Sequence, residues 1–253
     1  MTISIKTIPC LSDNYAYLIH NERIGETALV DAPEADPIIA EIDSSGWNLD
    51  YILLTHHHFD HVDGVEKLRQ NYGSKIIGNK NDRKRLPNLD IEVTEESKLV
   101  ICGQEVSVLD VPGHTIGHIA FVFPGAAFTA DSLMALGCGR VFEGTFPMMW
   151  NSLQKIATLP GDTMIYSGHE YTLSNGAFAL TLETGNPELI ARVEREKEQR
   201  NKGLPTVPSK LDLELRTNPF MRAGLPEMKT IIGSSDMSDE ECFAEIRKRK
   251  DQF

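Results

Sequence analysis

The sequence predicts a layered α/β protein, two sheets packed together with helices outside them, followed by a smaller, mainly helical region. Three observations lead there. Strand-like segments alternate with two helices over the first part of the chain, and then several strands follow without long crossovers, an order that does not suit a Rossmann alternation. The apolar strand that ends in Ile52-Leu-Leu-Thr-His-His-His-Phe-Asp-His61 breaks into a burst of imidazoles. Catalytic groups in layered α/β proteins sit where strands end and helices begin. Beyond Tyr171 the texture changes to charged helical segments.

Segments near Ser4–Ile8, Tyr15–His20 and Glu26–Val30 are rich in β-branched and aromatic residues between turn formers, which predicts short strands. Asp31-Ala-Pro33 closes the third and introduces a helix around Ala35–Ser44, which Gly46 terminates. Tyr51–Leu54 is the strand delivering the histidines, Val62–Arg69 reads as a helix ending near Gly73, and Lys75–Gly78 as another strand. Asn79–Asn88 is charged and breaker-rich, a surface loop or short helix. Leu99–Cys102 and Glu105–Val111 are strands joined tightly by Gly103-Gln104, and His118–Phe123 and Ala126–Thr129 flank a turn at Pro124-Gly125. Met149–Thr158 reads as a helix and Met164–Tyr166 as a last short strand before Ser167-Gly-His-Glu170. Asn175–Thr184 and Pro187–Lys202 read as helices, the second with Pro at a favourable start. Leu204–Met221, with Pro205, Pro208 and Pro219, reads as irregular, and Asp239–Lys250 as a final helix capped by Ser238. The boundary falls near residue 170, giving domains 1–170 and 171–253.

Composition narrows the function. An apolar share of 41% over 253 residues suffices for a real core. A formal net charge of −12 repels nucleic-acid phosphates, and the short basic run Arg247-Lys-Arg-Lys250 matches an anionic small molecule better than a duplex. The amino-terminal residues show no apolar run resembling a signal peptide, and no stretch is long and apolar enough to span a membrane. Cys10, Cys102, Cys138 and Cys242 are widely spaced with no CxxC pair, which fits free thiols and a cytoplasmic location. A chain able to bury its own core is expected to be a monomer.

The histidine burst calls for a metal. Clustered imidazoles without one would repel each other when protonated and be costly to desolvate. Three downstream segments offer partners after chain breakers: Val111-Pro-Gly-His-Thr-Ile-Gly-His118, Phe128-Thr-Ala-Asp131 and Tyr166-Ser-Gly-His169. Counting ligands assigns His56, His58 and His114 to one ion and Asp60, His61 and His169 to another, with Asp131 bridging them. Zinc suits this nitrogen and oxygen set, as do iron and manganese, because no thiolate enforces a choice. His57 points away from its neighbours in an extended segment and reads as structural. His118 starts a strand and reads as hydrogen-bonded to an ordering partner rather than metal-bound, His20 reads as ordinary, and Cys138 as unneeded.

Thr55-His-His-His-Phe-Asp-His61 resembles the THxHxDH signature of the metallo-β-lactamase superfamily, whose fold is an αββα sandwich. The resemblance places His56, His58, Asp60, His61, His114, Asp131 and His169 in the superfamily's ligand positions. Gly137-Cys-Gly-Arg-Val-Phe-Glu-Gly-Thr145, Gly168-His-Glu-Tyr-Thr172, Thr217-Asn-Pro-Phe-Met-Arg222 and the tail Arg247-Lys-Arg-Lys-Asp-Gln-Phe253 resemble the glyoxalase II family, the hydroxyacylglutathione hydrolases. That likeness implies S-D-lactoylglutathione as substrate, D-lactate and reduced glutathione as products, and glutathione contacts from Arg140, Tyr171, Arg247 and Lys250. Two positions depart from the family: Phe142 stands where some relatives have tyrosine, and Ala130 replaces the glycine common before the bridging Asp131.

This donor set suits thioester hydrolysis. A metal pair makes hydroxide available near neutral pH and stabilises the tetrahedral alkoxide. Asp60 is expected to orient the water or take its proton, and Asp131 to hold the ions together. A thiolate, with a parent pKa near 8.5, departs without a dedicated general acid. Competing readings are a β-lactamase, a lactonase, a persulfide dioxygenase using one iron, a nuclease, or a non-catalytic metal protein with every coordination position filled.

Overall fold

The computed structural model describes residues 3–233 and 235–253. Met1 and Thr2, the first residues of the stretch read above for a leader, and Ser234 lie outside the described residues. The chain forms two compact units, Met1–Asp110 with Gly117–Pro124, and Val111–Ile116 with Gly125–Phe253.

In the first unit, β1 (Ile3–Cys10), β2 (Asn14–Asn21) and β3 (Glu26–Val30) run antiparallel. Three parallel strands continue the sheet: β4 (Tyr51–Leu53), β5 (Lys75–Asn79) and β6 (Ile91–Val93). Parallel neighbours need crossover connections, and helices supply the first two. Helix α1 (Ala35–Ser45) links β3 to β4, while α2 (Phe59–Val62) and α3 (Val65–Tyr72) link β4 to β5. Gly46 and Gly73 end α1 and α3 in the left-handed conformation, as their positions predict. Ala35, Ile38 and Ile42 recur at helical spacing and bury one face of α1 in a core with Leu18, Leu29, Ile52, Leu68 and Ile76. Each large aliphatic side chain buried there contributes about 1.5–3 kcal/mol.

Strands β7 (Lys98–Ile101), β8 (Gln104–Asp110) and β9 (Ile119–Phe123) form an antiparallel meander in the same unit. Ile101 pairs with Gln104, so the turn is Cys102-Gly103, one residue earlier than the sequence suggests. Both turn residues have positive φ, 51° and 67°, the geometry that matches strand twist in a two-residue hairpin.

The second unit contains β10 (Ala126–Ala130), the short hairpin β11 (Leu133–Met134) and β12 (Gly137–Cys138), and helix α4 (Phe146–Ala157). Strand β13 (Met164–Ser167) follows and lies parallel to β10, with α4 as the crossover. The register slips between Phe128 and Ala130, and Ala130 takes φ 41°. The Ala130 methyl therefore sits on left-handed backbone, a conformation that costs roughly 1–2 kcal/mol for an L-residue.

Helices α5 (Thr172–Leu182) and α6 (Pro187–Asn201) follow as predicted, α6 with Asn186 as its cap. The proline-rich stretch expected to be irregular instead contains β14 (Ser209–Lys210), which pairs with β13, and α7 (Leu211–Thr217). Buried Glu214 explains that order. Its carboxylate accepts from Arg192, Ser209, Asn218 and the Leu136 backbone, contacts invisible to local propensity. Helix α8 (Pro226–Ile232) precedes α9 (Asp239–Gln252), whose start is a capping box between Ser238 and Glu241. No helix among the described residues is long and apolar enough to cross a membrane.

Candidate metal centre

Two parallel strand ends build the first set of ligands. Val30 and Leu53 are register partners, so Asp31, just after β3, lies beside Thr55 and His56, just after β4. Asp31 adopts φ 56° and is buried, and its carboxylate accepts from Thr55 N (2.9 Å), Thr55 Oγ1 (2.8 Å) and His61 Nδ1 (2.8 Å). A carboxylate only accepts, so the His61 proton sits on Nδ1 and Nε2 keeps its lone pair. Thr55, having donated to Asp31, is left to accept from His56 Nδ1 at 3.0 Å. That sets the same tautomer on His56, whose Nε2 faces His58 Nδ1 at 3.1 Å. Two ring nitrogens so close, with one presenting a lone pair, make an arrangement suited to a shared cation.

Helix α2 turns Asp60 and His61 back toward this cluster. Asn14 donates to the Asp60 carbonyl and carboxylate at 3.0 and 3.1 Å, leaving Asp60 Oδ2 3.8 Å from His61 Nε2. Asp31, His56 and His61 are close enough to be a candidate metal group in their own right. With its two oxygens taken by Thr55 and His61, Asp31 is the orienting acid rather than a ligand. His118 stacks on His56 with centroids 4.6 Å apart, and its Nδ1 meets the Ile119 carbonyl. His57 turns to Asp82, 3.3 Å from Nδ1, and His20 bonds Thr27 and stacks on Trp47.

The second unit repeats the device. Ala130 and Ser167 are register partners on parallel strands, so Asp131 and His169 leave adjacent strand ends. Asp131 Oδ2 lies 3.4 Å from His114 Nε2 and 3.3 Å from His169 Nε2. The Arg140 carbonyl, 2.7 Å from His114 Nδ1, holds the proton there and turns the Nε2 lone pair to the same point. Gly139 permits this packing, since a Cβ there would overlap the Asp131 carbonyl. Imidazole nitrogens and a carboxylate oxygen converging, with the His114 tautomer fixed, make a donor set that fits a divalent cation.

The four residues expected to touch glutathione all lie in the second unit. Tyr171 stacks on His169, rings nearly parallel at 4.7 Å, and is 40% exposed. Arg140 is largely exposed, lying over Phe142, itself against His114. Lys250 donates to Ser174 and sits over Phe178 and Phe253; burial, then neighbouring Arg247, lowers its pKa. Arg247 differs from the other three: it is 5% exposed, lies over Phe220, and donates to the Cys138 carbonyl and to Asp251. Cys138 is buried and its thiol is pushed up to about 11, chiefly by desolvation.

Asp31 is the functional residue that sequence reasoning passed over. The available signal was an acid at the end of a strand that precedes the histidine strand by one helix. In a parallel pair, those two ends must meet.

Residues 12–169 match the metallo-beta-lactamase superfamily, and residues 170–253 match the hydroxyacylglutathione hydrolase C-terminus. Proteins named hydroxyacylglutathione hydrolase from Cereibacter sphaeroides and Ruegeria pomeroyi are 54% and 55% identical over 255 residues, covering 100% of both chains in each case. Among solved structures, ETHE1 from Myxococcus xanthus shares the fold with a TM-score of 0.70 at 22% identity, covering 98% of this chain and 90% of its own. A protein crystallised in a di-iron-bound form does so at 0.60 and 23% identity, covering 86% of this chain and 99% of its own. A metallo-beta-lactamase fold with these His and Asp clusters fits a binuclear metal site. The chain belongs to the hydroxyacylglutathione hydrolase family of the metallo-beta-lactamase superfamily.

Proposed function

We propose that the protein hydrolyses S-(2-hydroxyacyl)glutathione thioesters, chiefly S-D-lactoylglutathione, to D-lactate and reduced glutathione, as a cytoplasmic monomer. The observation that carries this reading is the end-to-end match to the hydroxyacylglutathione hydrolases, including the helical region that holds Arg247 and Lys250. Residues 1–170 are assigned to metal binding and catalysis, and 171–253 to glutathione binding.

His56, His58 and His114 would hold one zinc ion, Asp60, His61 and His169 a second, with Asp131 shared. When bound, such a pair acidifies water to near neutrality and polarises the thioester carbonyl. The protein's own groups supply the rest. Asp60, anchored by Asn14, would orient the attacking water or receive its proton. Asp31 keeps His61 and, through Thr55, His56 in the tautomer that presents Nε2. Tyr171 would contact glutathione, and Arg140, Arg247 and Lys250 would offset its negative charge against a chain of net charge −12. The thiolate needs no proton from the protein to leave, given its parent pKa of about 8.5.

The test is S-lactoylglutathione hydrolysis followed by released thiol, before and after chelation, with metal content measured in parallel. Activity should vanish with the metal and return on adding zinc, at two equivalents per chain. A folded, fully metallated protein without this activity would defeat the assignment.

A further inference from the structure

The last turns of α9 hold an acid between cations. Asp251 Oδ1 accepts from Arg247 Nε at 3.1 Å and Nη2 at 2.9 Å, one helical turn apart. The same oxygen lies 3.4 Å from Arg140 Nε, so one carboxylate spans two guanidinium groups from remote segments. Their settings differ. Arg247 is buried over Phe220, whereas Arg140 extends from the segment after β12 with its side chain 57% exposed. With Lys250 nearby, three cations face this one anion, and the cluster stays attractive to a carboxylate.

We propose that Asp251 is a positioning residue, aligning Arg140 and Arg247 in advance as a two-arginine seat for a carboxylate of the glutathione moiety. The inference rests on the thioester reading above. A long arginine free in solvent loses rotamer entropy on binding, and a partner that orders it beforehand removes that cost from the binding step. Asp251 also answers the charge of Arg247, which would otherwise be buried without a counter-ion. The reacting end is held separately. Gly139 N donates to Ser132 O at 3.2 Å, and the Arg140 carbonyl, not its side chain, meets His114. Loss of Asp251 should therefore act on binding and spare turnover.

Kinetics of Asp251→Ala and Asp251→Asn test this on two substrates: S-lactoylglutathione and the lactoyl thioester of N-acetylcysteamine, which lacks both glutathione carboxylates. For the glutathione thioester, KM should rise about tenfold in the alanine variant, the scale of one lost charged positioning contact. The asparagine variant, which keeps an acceptor for Arg247, should fall between it and the parent and remains usable if alanine impairs folding. Turnover number, metal content and KM for the short thioester should stay at parental values. An unchanged or lowered KM for the glutathione thioester overturns the positioning role, as do equal losses on both substrates. A parent protein that cleaves only the short thioester instead overturns the glutathione reading, and this inference with it.

Discussion

Replacing Asp31 tests the orientation of the histidines most directly. Asp31→Ala strips the acceptor from three buried donors: Thr55 N, Thr55 Oγ1 and His61 Nδ1. Leaving a buried donor unsatisfied costs about 1–3 kcal/mol, and partial relaxation brings three of them to roughly 3–6 kcal/mol. That is a large part of a typical domain's 5–15 kcal/mol. Asp31→Asn is the finer probe because it keeps the shape. Its carbonyl can still accept from Thr55 N, but its amide then faces Thr55 Oγ1 and His61 Nδ1 as a donor. His61 must move its proton to Nε2, and Thr55, now donating to His56, drives the same change there. Both histidines then present N–H where a cation needs a lone pair. Metal affinity should drop 10–100-fold, the usual cost of losing such an outer partner. Competition titration with a chromophoric chelator reads the affinity, and denaturant unfolding of the metal-free protein reads the stability. Two equivalents bound by Asp31→Asn at parental affinity would refute the tautomer argument. A metal-free Asp31→Ala protein within 1 kcal/mol of the parent (a threshold of order RT) would refute the burial argument.

Other expectations follow from single contacts. Glu214→Ala should destabilise the protein by about 3–5 kcal/mol, because it removes the carboxylate bonded to buried Arg192 and leaves that guanidinium only Glu196, at 3.5 Å, as counter-ion; a denaturant midpoint close to the parent's would contradict that. Ser238→Ala removes the side-chain cap of α9 and should lower stability by about 1 kcal/mol in the same assay. Hydrogen bonds from the Ser238 backbone, then its side chain, hold the Glu241 carboxyl below its ordinary range. A depressed acid stabilises the fold above its unfolded pKa, so this contribution should be present at neutral pH and fade as the pH drops below about 4.3. Burial pushes the Cys10 and Cys102 thiols up to about 12 and those of Cys138 and Cys242 to about 11. The native protein should therefore react slowly with a thiol reagent at pH 8 and release all four thiols only on unfolding.

Local chemistry made much of the framework legible. Gly46 and Gly73 stop their helices because left-handed backbone is cheap for glycine, and Ser238 starts α9 because its hydroxyl satisfies an amide. Strands β6, β11, β12 and β14, of two or three residues, are too short to show an alternating pattern and are not legible; β4, equally short, is legible only because it continues into the histidine run. Two neighbouring positions are compatible with the tight turn between β7 and β8, and only the pairing of Ile101 with Gln104 selects Cys102-Gly103 over Gly103-Gln104.

Residue type and order by themselves determined the donor inventory of this protein, since few side chains carry nitrogen or carboxylate ligands and His56, His58, Asp60 and His61 stand within six positions. Tertiary structure alone decided how those donors are aimed. Asp31 reaches His61 because two parallel strands end level, and Arg247 is buried while Arg140 is open because α9 docks on the segment after β12. Each depends on contacts between distant parts of the chain, which packing sets and local sequence does not encode.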